Sequence, residues 1–147
     1  MVLKSSFLRK ARCLVCLFCI GGFLYNVIEI LWRGYTHWSM FFAGGACFTL
    51  IGHIQRVCKH SLFVRCAYCA LAVTLVEFIS GCIVNLWWKL NVWDYSDMLL
   101  NVKGQVCALY SVLWGGLSVI AMPIYRRLRA LIDRPNRHVS AVRKKAG

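Results

Sequence analysis

The stretch GQVCALYSVLWGGLSVIAMPIY, Gly104–Tyr125, contains no Asp, Glu, Lys or Arg. The stretch GYTHWSMFFAGGACFTLIGHIQ, Gly34–Gln55, contains none either. A hydrocarbon core about 30 Å thick is crossed by about 20 mostly apolar residues in an α-helix. Each stretch is therefore long enough to predict a membrane-spanning helix.

The rest of the chain also indicates an integral membrane protein. Of its 147 residues, 60% are hydrophobic and 16% are charged, whereas soluble domains are about 45–50% apolar and about 25% charged. The apolar segments predict an all-α fold, a bundle of four transmembrane helices over residues 13–124. A basic N-terminus (1–12) precedes it and a basic tail (125–147) follows it. The predicted spans are about 13–32, 38–56, 66–88 and 98–124.

The basic residues predict the orientation of these spans. All but three of the 18 Lys and Arg residues lie in the N-terminus, in the loop after the second span, or from Tyr125 onward. Cytoplasmic loops collect Lys and Arg, so we expect a multi-pass protein of the cell membrane with both termini in the cytoplasm. Tryptophans group at the predicted outer interface, where amphipathic rings are favoured. They are Trp32, Trp38, Trp87, Trp88 and Trp93.

The first segment and the tail each allow two interpretations. The first has the basic start of a signal peptide but no small-residue cleavage site, so we interpret it as a retained helix. The tail anchors the orientation, or Arg126, Arg127 and Arg129 bind anionic lipid headgroups, each basic residue contributing about 1 kcal/mol near the surface. Nucleic-acid binding is not expected, because the tail lacks interleaved aromatic residues and a recognisable fold.

Cysteine usage predicts packing instead of cross-linking. None of the nine cysteines lies in a predicted external loop, and the cytoplasm keeps thiols reduced. The CxxC spacings Cys13/Cys16 and Cys66/Cys69 resemble zinc ligands, but both pairs begin apolar helices, where Cys packs as a small apolar residue. We therefore expect no disulfide, no metal and no cofactor.

Each predicted span carries one polar or small stripe at helical spacing. The polar members are Asn26, Glu29 and Arg33 in the first span, Glu77 and Asn85 in the third, and Asn101 and Gln105 in the fourth. Within the first span, Glu29 and Arg33 can pair at i, i+4. Two interpretations stay open: the stripes form the packing seam of the bundle, or they line an outward-opening polar cavity for a small solute or ion.

Glu77 favours the polar cavity. It lies near the middle of its predicted helix, where a carboxyl group costs several kcal/mol unless it is satisfied, and a packing seam needs no acid there. We expect it to point inward and to be protonated, or hydrogen-bonded to Asn26, Asn85 or Gln105, since desolvation disfavours the charged form.

The loop after the third span is rich in polar and aromatic residues. Asp94 is a candidate turn residue and Asp97 a candidate N-cap for the fourth span. Alternatively, this loop and the first outer loop form an acidic rim that attracts a cation or amine. The rim residues are His37, Trp93, Asp94, Tyr95 and Asp97. Lys103, inside the predicted fourth span, is expected opposite the polar stripe, within snorkelling reach of the headgroups.

Three blocks of sequence resemble one family. Asn91-Val-Trp-Asp-Tyr-Ser96 is followed by Asn101 and Gly104-Gln105; the other blocks are Tyr25–Gly34 and Glu77–Gly81 with Asn85. Together they resemble the putative type IV ABC-transporter family of small membrane proteins, over about residues 20–125. The resemblance implies transport and a multi-pass fold with eukaryotic four-span relatives. Lys103 replaces the apolar residue that the pattern implies. ATP hydrolysis is not expected, because the chain has no GxxxxGK[ST] phosphate loop.

The leading hypothesis is a transporter or permease-like component that is not an enzyme and whose polar seam takes a small solute or ion. Four spans make a narrow pathway, so we expect a homodimer or other membrane subunits, in contact with membrane lipids. One alternative is an enzyme acting on lipids or lipid-linked substrates through Glu77 or His37, although no HExxH or GxSxG motif is present. Another is a lipid-binding or regulatory protein acting through its tail.

Overall fold

The computed structural model describes residues 2–133, with side chains from residue 7 onward. Four α-helices make up most of this part: α1 (Val2–Arg33), α2 (Trp38–Val57), α3 (Leu62–Gly81) and α4 (Ala108–Ile132). A π-helical segment, Cys82–Trp87, continues α3. Residues 2–133 contain no β-strand beyond an isolated bridge between Val102 and Val106. The predicted all-helical fold is confirmed.

Three helical stretches are long and apolar enough to cross a membrane: Phe7–Arg33, Leu62–Trp87 and Ala108–Ile132. They contain all of the first predicted span, nearly all of the third and the later part of the fourth. Large apolar side chains such as Leu31, Phe63 and Val112 are exposed on them, as expected where lipid replaces water. The chain is therefore a membrane protein. The second predicted span, α2, has 20 residues but does not reach the same apolarity.

The start of the fourth span was predicted wrongly. Residues 98–107 form turns, and α4 begins only after its N-cap residue, Cys107. The predicted N-cap role of Asp97 is therefore wrong, and Lys103 lies in a loop with a left-handed φ of 53°. Side chains that bond to nearby backbone compete with helix formation, and Asn101 does so here, accepting from the amide of Gly104.

The ends of the chain also depart from the predicted boundaries. α1 begins at Val2, so the helix includes the predicted basic N-terminus, whose side chains up to residue 6 lie outside the described residues. At the other end, α4 runs on to Ile132 and includes the first part of the predicted tail. Residues 134–147 of that tail lie outside the described residues.

α2 lies at the centre of the packing, in contact with α1, α3 and α4. Its contact with α1 depends on glycines that face the partner backbone. A Cβ at Gly22 would lie 2.5 Å from the carbonyl oxygen of Phe41, and one at Gly45 would lie 2.7 Å from that of Phe18. Small residues allow this close helix approach in membranes, so Gly22 and Gly45 act in helix packing.

Several cysteines are part of the apolar packing. Cys47 and Cys69 belong to one buried cluster with Val73 and Met122, and Cys13 belongs to a second cluster. In these positions the thiol is a small apolar group.

Candidate functional site at Glu77

Glu77 of α3 is buried between helices, with 4% of its surface exposed. The hydroxyl of Tyr25, on α1, donates a hydrogen bond of 3.3 Å to its Oε1. The ring of Trp114, on α4, stacks on Tyr25 with centroids 5.4 Å apart. The predicted partners Asn26, Asn85 and Gln105 were wrong, because the carboxyl accepts its hydrogen bond from the Tyr25 hydroxyl.

The Trp114 indole is a second polar group at this site. Its N–H is buried beside the Glu77 carboxyl and is a second donor directed toward it. The ion pairs of the described residues, Arg9–Asp133 and Arg33–Glu29, do not include Glu77. A buried carboxyl group is costly unless it is neutral, paired or bound to a cation. The site can therefore hold a proton or a small cation at the carboxyl.

Glu29, in contrast, is fully engaged near the C-terminal end of α1. It pairs with Arg33, as the spacing predicted, and its Oε2 accepts a 2.7 Å hydrogen bond from Thr36. Thr36 also donates to Asn26 across 3.3 Å. Arg33 donates to the carbonyl of Val92 across 3.2 Å. These contacts attach the connection after α1, and the loop 88–107, to the end of the helix.

Asn85 and Gln105 are buried and hold the loop in place. The Asn85 amide donates to Gln105 Oε1 across 2.8 Å and to the carbonyl of Trp93 across 3.0 Å, and its Oδ1 accepts from the amide of Val92. Gln105 donates to the carbonyl of Lys103 across 2.9 Å. Because both carboxamides are occupied by the protein, this part of the predicted polar seam is a structural network.

The same holds for Asn101, which lies in a turn and not on a helical stripe. Its amide donates to the carbonyls of Ser96 and Met98 across 3.0 and 2.9 Å. Asp94 accepts hydrogen bonds from the backbone and hydroxyl of Ser96, which lower its pKa. One of the blocks that resemble the transporter family, over residues 91–105, thus builds the folded loop between α3 and α4.

The predicted rim residues do not form one rim in the structure, because they differ in burial and in the groups they contact. Trp93 is buried and donates from its indole to the carbonyl of Gln105. His37 accepts from the amide of Ser39 and caps α2, and Tyr95 stacks on Tyr110. Of the predicted rim, Asp94 and Asp97 are exposed.

The predicted lipid-headgroup residues lie on the last turns of α4. Arg126 and Arg127 are exposed, whereas Arg129 is half-buried and lines a cleft with Lys10 and Arg56.

Sequence reasoning missed Tyr25 and Trp114. The available signal was weak, because Tyr25 shares the helical face of Glu29 at i, i+4 spacing, but aromatic residues abound in the spans. Trp114 lies in the middle of an uncharged stretch and offered no signal.

Comparison with protein families gives one match. Residues 15–143 match the family described as "Putative ABC-transporter type IV". The chain belongs to this family. The family match includes Tyr25, Glu77 and Trp114, together with the loop that covers them. Comparisons with curated proteins and with solved structures find no match.

Proposed function

We propose that the protein is a transporter or permease-like membrane component for a small solute or ion, with Glu77 as the group that binds it. The observation that carries the proposal is a buried carboxyl whose hydrogen-bond partner is Tyr25 and which has no ion pair among the described residues. Membership of the transporter-type family supports it. Three residues of the predicted seam already hydrogen-bond to other groups of the protein: Asn85, Asn101 and Gln105. The proposed binding residues are therefore Glu77, Tyr25 and Trp114.

The proposal includes four membrane spans with α2 as the second. A helix of 20 residues rises about 30 Å, the thickness of the hydrocarbon core. α2 packs against the other three helices and buries many of its residues. A helix shielded from lipid by its neighbours tolerates polar groups such as Ser39 and Thr49, which supports a span of lower apolarity.

The proposed orientation puts both termini in the cytoplasm and the loop 88–107 outside, in the cell membrane. The basic ends of α1, α2 and α4 support it, since Lys and Arg collect on the cytoplasmic side. Cysteines introduced as Asp97→Cys and Ser61→Cys test it with a membrane-impermeant maleimide on intact cells. Labelling of Asp97→Cys above the parent protein is expected; labelling of Ser61→Cys alone contradicts the orientation.

A proton is the first probe of the proposed pathway. Proteoliposomes loaded with a pH-sensitive dye report proton flux under an imposed gradient, alone and with sets of small cations and amines. We expect Glu77→Gln to fold and to lose the proton flux. Glu77→Leu should impair both folding and flux, and Asp97→Asn should keep the folding and flux of the parent protein. A Glu77→Gln protein with the flux and thermal stability of the parent means that the carboxyl serves packing only.

We also propose that the pathway is completed by a second copy of the chain or another membrane subunit, since four helices enclose little space. Single-molecule photobleaching in lipid nanodiscs tests the homodimer, with two bleaching steps as the expected result.

A further inference from the structure

A basic cleft of about 270 Å³ opens at the end of the molecule where α1 begins and where α2 and α4 end. Each of these helices contributes one cation to its lining: Lys10 from α1, Arg56 from α2 and Arg129 from α4. Thr49, His53 and Tyr125 line it as well. Three like charges that face one cleft repel each other, so the arrangement favours an anionic occupant.

No acidic side chain of the described residues lines this cleft. Of the chain's five Asp and Glu residues, only Asp133 lies at this end. Asp133 pairs with Arg9 across 3.4 Å and does not line the cleft. Among the described residues the lining therefore holds cations and no anion, which favours an anionic occupant.

An apolar groove of about 220 Å³ lies farther along the same helices, toward the end of α1 and the start of α4. α1 and α4 form its walls, with Val27 and Ile28 on one side and Leu117, Ile120 and Ile124 on the other. The cleft and the groove are neighbours, with one buried cluster contributing to both: Leu17 and Tyr125 line the cleft, Phe48 lines the groove, and the three pack together.

We propose that this surface binds an anionic glycerophospholipid, with its phosphate in the basic cleft and an acyl chain in the apolar groove. The basic cleft complements the negative charge of a phosphate headgroup, and the neighbouring apolar groove fits an acyl chain. A soluble phosphate ester would fill the basic cleft but would leave the apolar groove empty. Among the basic residues at the end of α4, the site uses Arg129 and not Arg126 or Arg127, which do not line the cleft.

The test uses the full chain purified in detergent, with phosphatidylglycerol and phosphatidylcholine of identical acyl chains in equal amounts. Native mass spectrometry counts the lipids that stay bound. The triple variant Lys10→Gln/Arg56→Gln/Arg129→Gln removes the cleft charges. Its matched control, Lys59→Gln/Arg126→Gln/Arg127→Gln, removes the same charge at the same end. We expect the preference for phosphatidylglycerol to fall about tenfold or more in the first and about twofold or less in the second.

A second pair of variants tests the groove. Val27→Trp fills it from an exposed position, and Val15→Trp places the same ring on an exposed part of α1 outside both linings. Val27→Trp should weaken phosphatidylglycerol binding, and Val15→Trp should not. Thermal unfolding in the same detergent reports whether each variant folds. If the triple variant does not fold, the single variants Lys10→Gln and Arg56→Gln, both at exposed positions, are tested for loss of phosphatidylglycerol binding instead.

Three results overturn the proposal. Equal loss in both triple variants means diffuse attraction to a basic surface. Displacement of the lipid by an equal concentration of glycerol 3-phosphate means a site for a soluble phosphate. Conversion of a dimer to a monomer by Val27→Trp, with lipid binding unchanged, means that the groove is a contact between two copies.

Discussion

Tyr25 and Glu77, 52 residues apart in sequence, are joined by a hydrogen bond in the buried centre of the helices. Trp114 stacks on the tyrosine ring at an interplanar angle of 22°. Tyr25 and Trp114 also line the apolar groove between α1 and α4, whereas Glu77 does not. The two aromatic rings therefore separate the carboxyl from the lipid-facing surface.

Tyr25→Phe removes the hydroxyl of this pair and keeps the ring. We expect a loss of stability of about 1–3 kcal/mol, because the buried carboxyl group loses the hydroxyl that donates to it. Thermal unfolding in detergent measures the change. Tyr68→Phe is the control, since Tyr68 lies on α3 with 51% of its surface exposed. Equal stability of the two variants would show that the hydrogen bond contributes nothing.

Asn85→Leu keeps the approximate size of the side chain and removes three hydrogen bonds. We expect a loss of about 2–4 kcal/mol, because backbone groups of the loop are left unpaired. Hydrogen exchange should become faster in residues 88–107 and stay unchanged in α1. Asn91→Gly is the control, because exposed Asn91 has a φ of 49° that glycine adopts freely. Unchanged exchange in Asn85→Leu contradicts the structural role of the network.

The loop should also respond to acid through Asp94. Hydrogen bonds from Ser96 hold the pKa of this carboxyl below its ordinary value of 3.8. A group whose pKa is lower when folded stabilises the fold above its unfolded pKa, and that contribution is lost as the pH falls through the folded value. Ser96→Ala should move the pKa of Asp94 back toward 3.8.

NMR titration of Asp94 in detergent micelles measures this shift. Asp97→Asn is the matched control, because Asp97 is exposed and neither caps α4 nor contacts Asp94 through a hydrogen bond in the described loop. It should leave the titration of Asp94 unchanged. A titration that is the same in Ser96→Ala and the parent would mean that these hydrogen bonds do not form.

The helices were predictable because hydrophobic length is a local property of the sequence. The start of α4 was not, since residues 98–107 are apolar enough for a helix and the competing turns depend on contacts such as Asn101 with Ser96. For the candidate site, Glu77 could be identified from its depth alone. Its partner could not, because helical spacing gives the face of one helix but not the register between two.

Glycines at two positions should respond to alanine with opposite signs. At Gly45, on α2, the added Cβ would lie 2.7 Å from the carbonyl oxygen of Phe18 on α1. The backbone cannot yield as a flexible side chain does, so the helices must separate, at a cost of about 1–3 kcal/mol.

At Gly116, within α4, no atom lies within 4 Å of the position that the Cβ would take. Gly116→Ala should therefore stabilise the protein by about 0.5–1 kcal/mol, because alanine loses less backbone entropy in a helix. Thermal unfolding of both variants in one detergent measures whether each change in stability is a loss or a gain relative to the parent protein. If Gly45→Ala is as stable as Gly116→Ala, then α1 and α2 do not approach as closely as the glycines indicate.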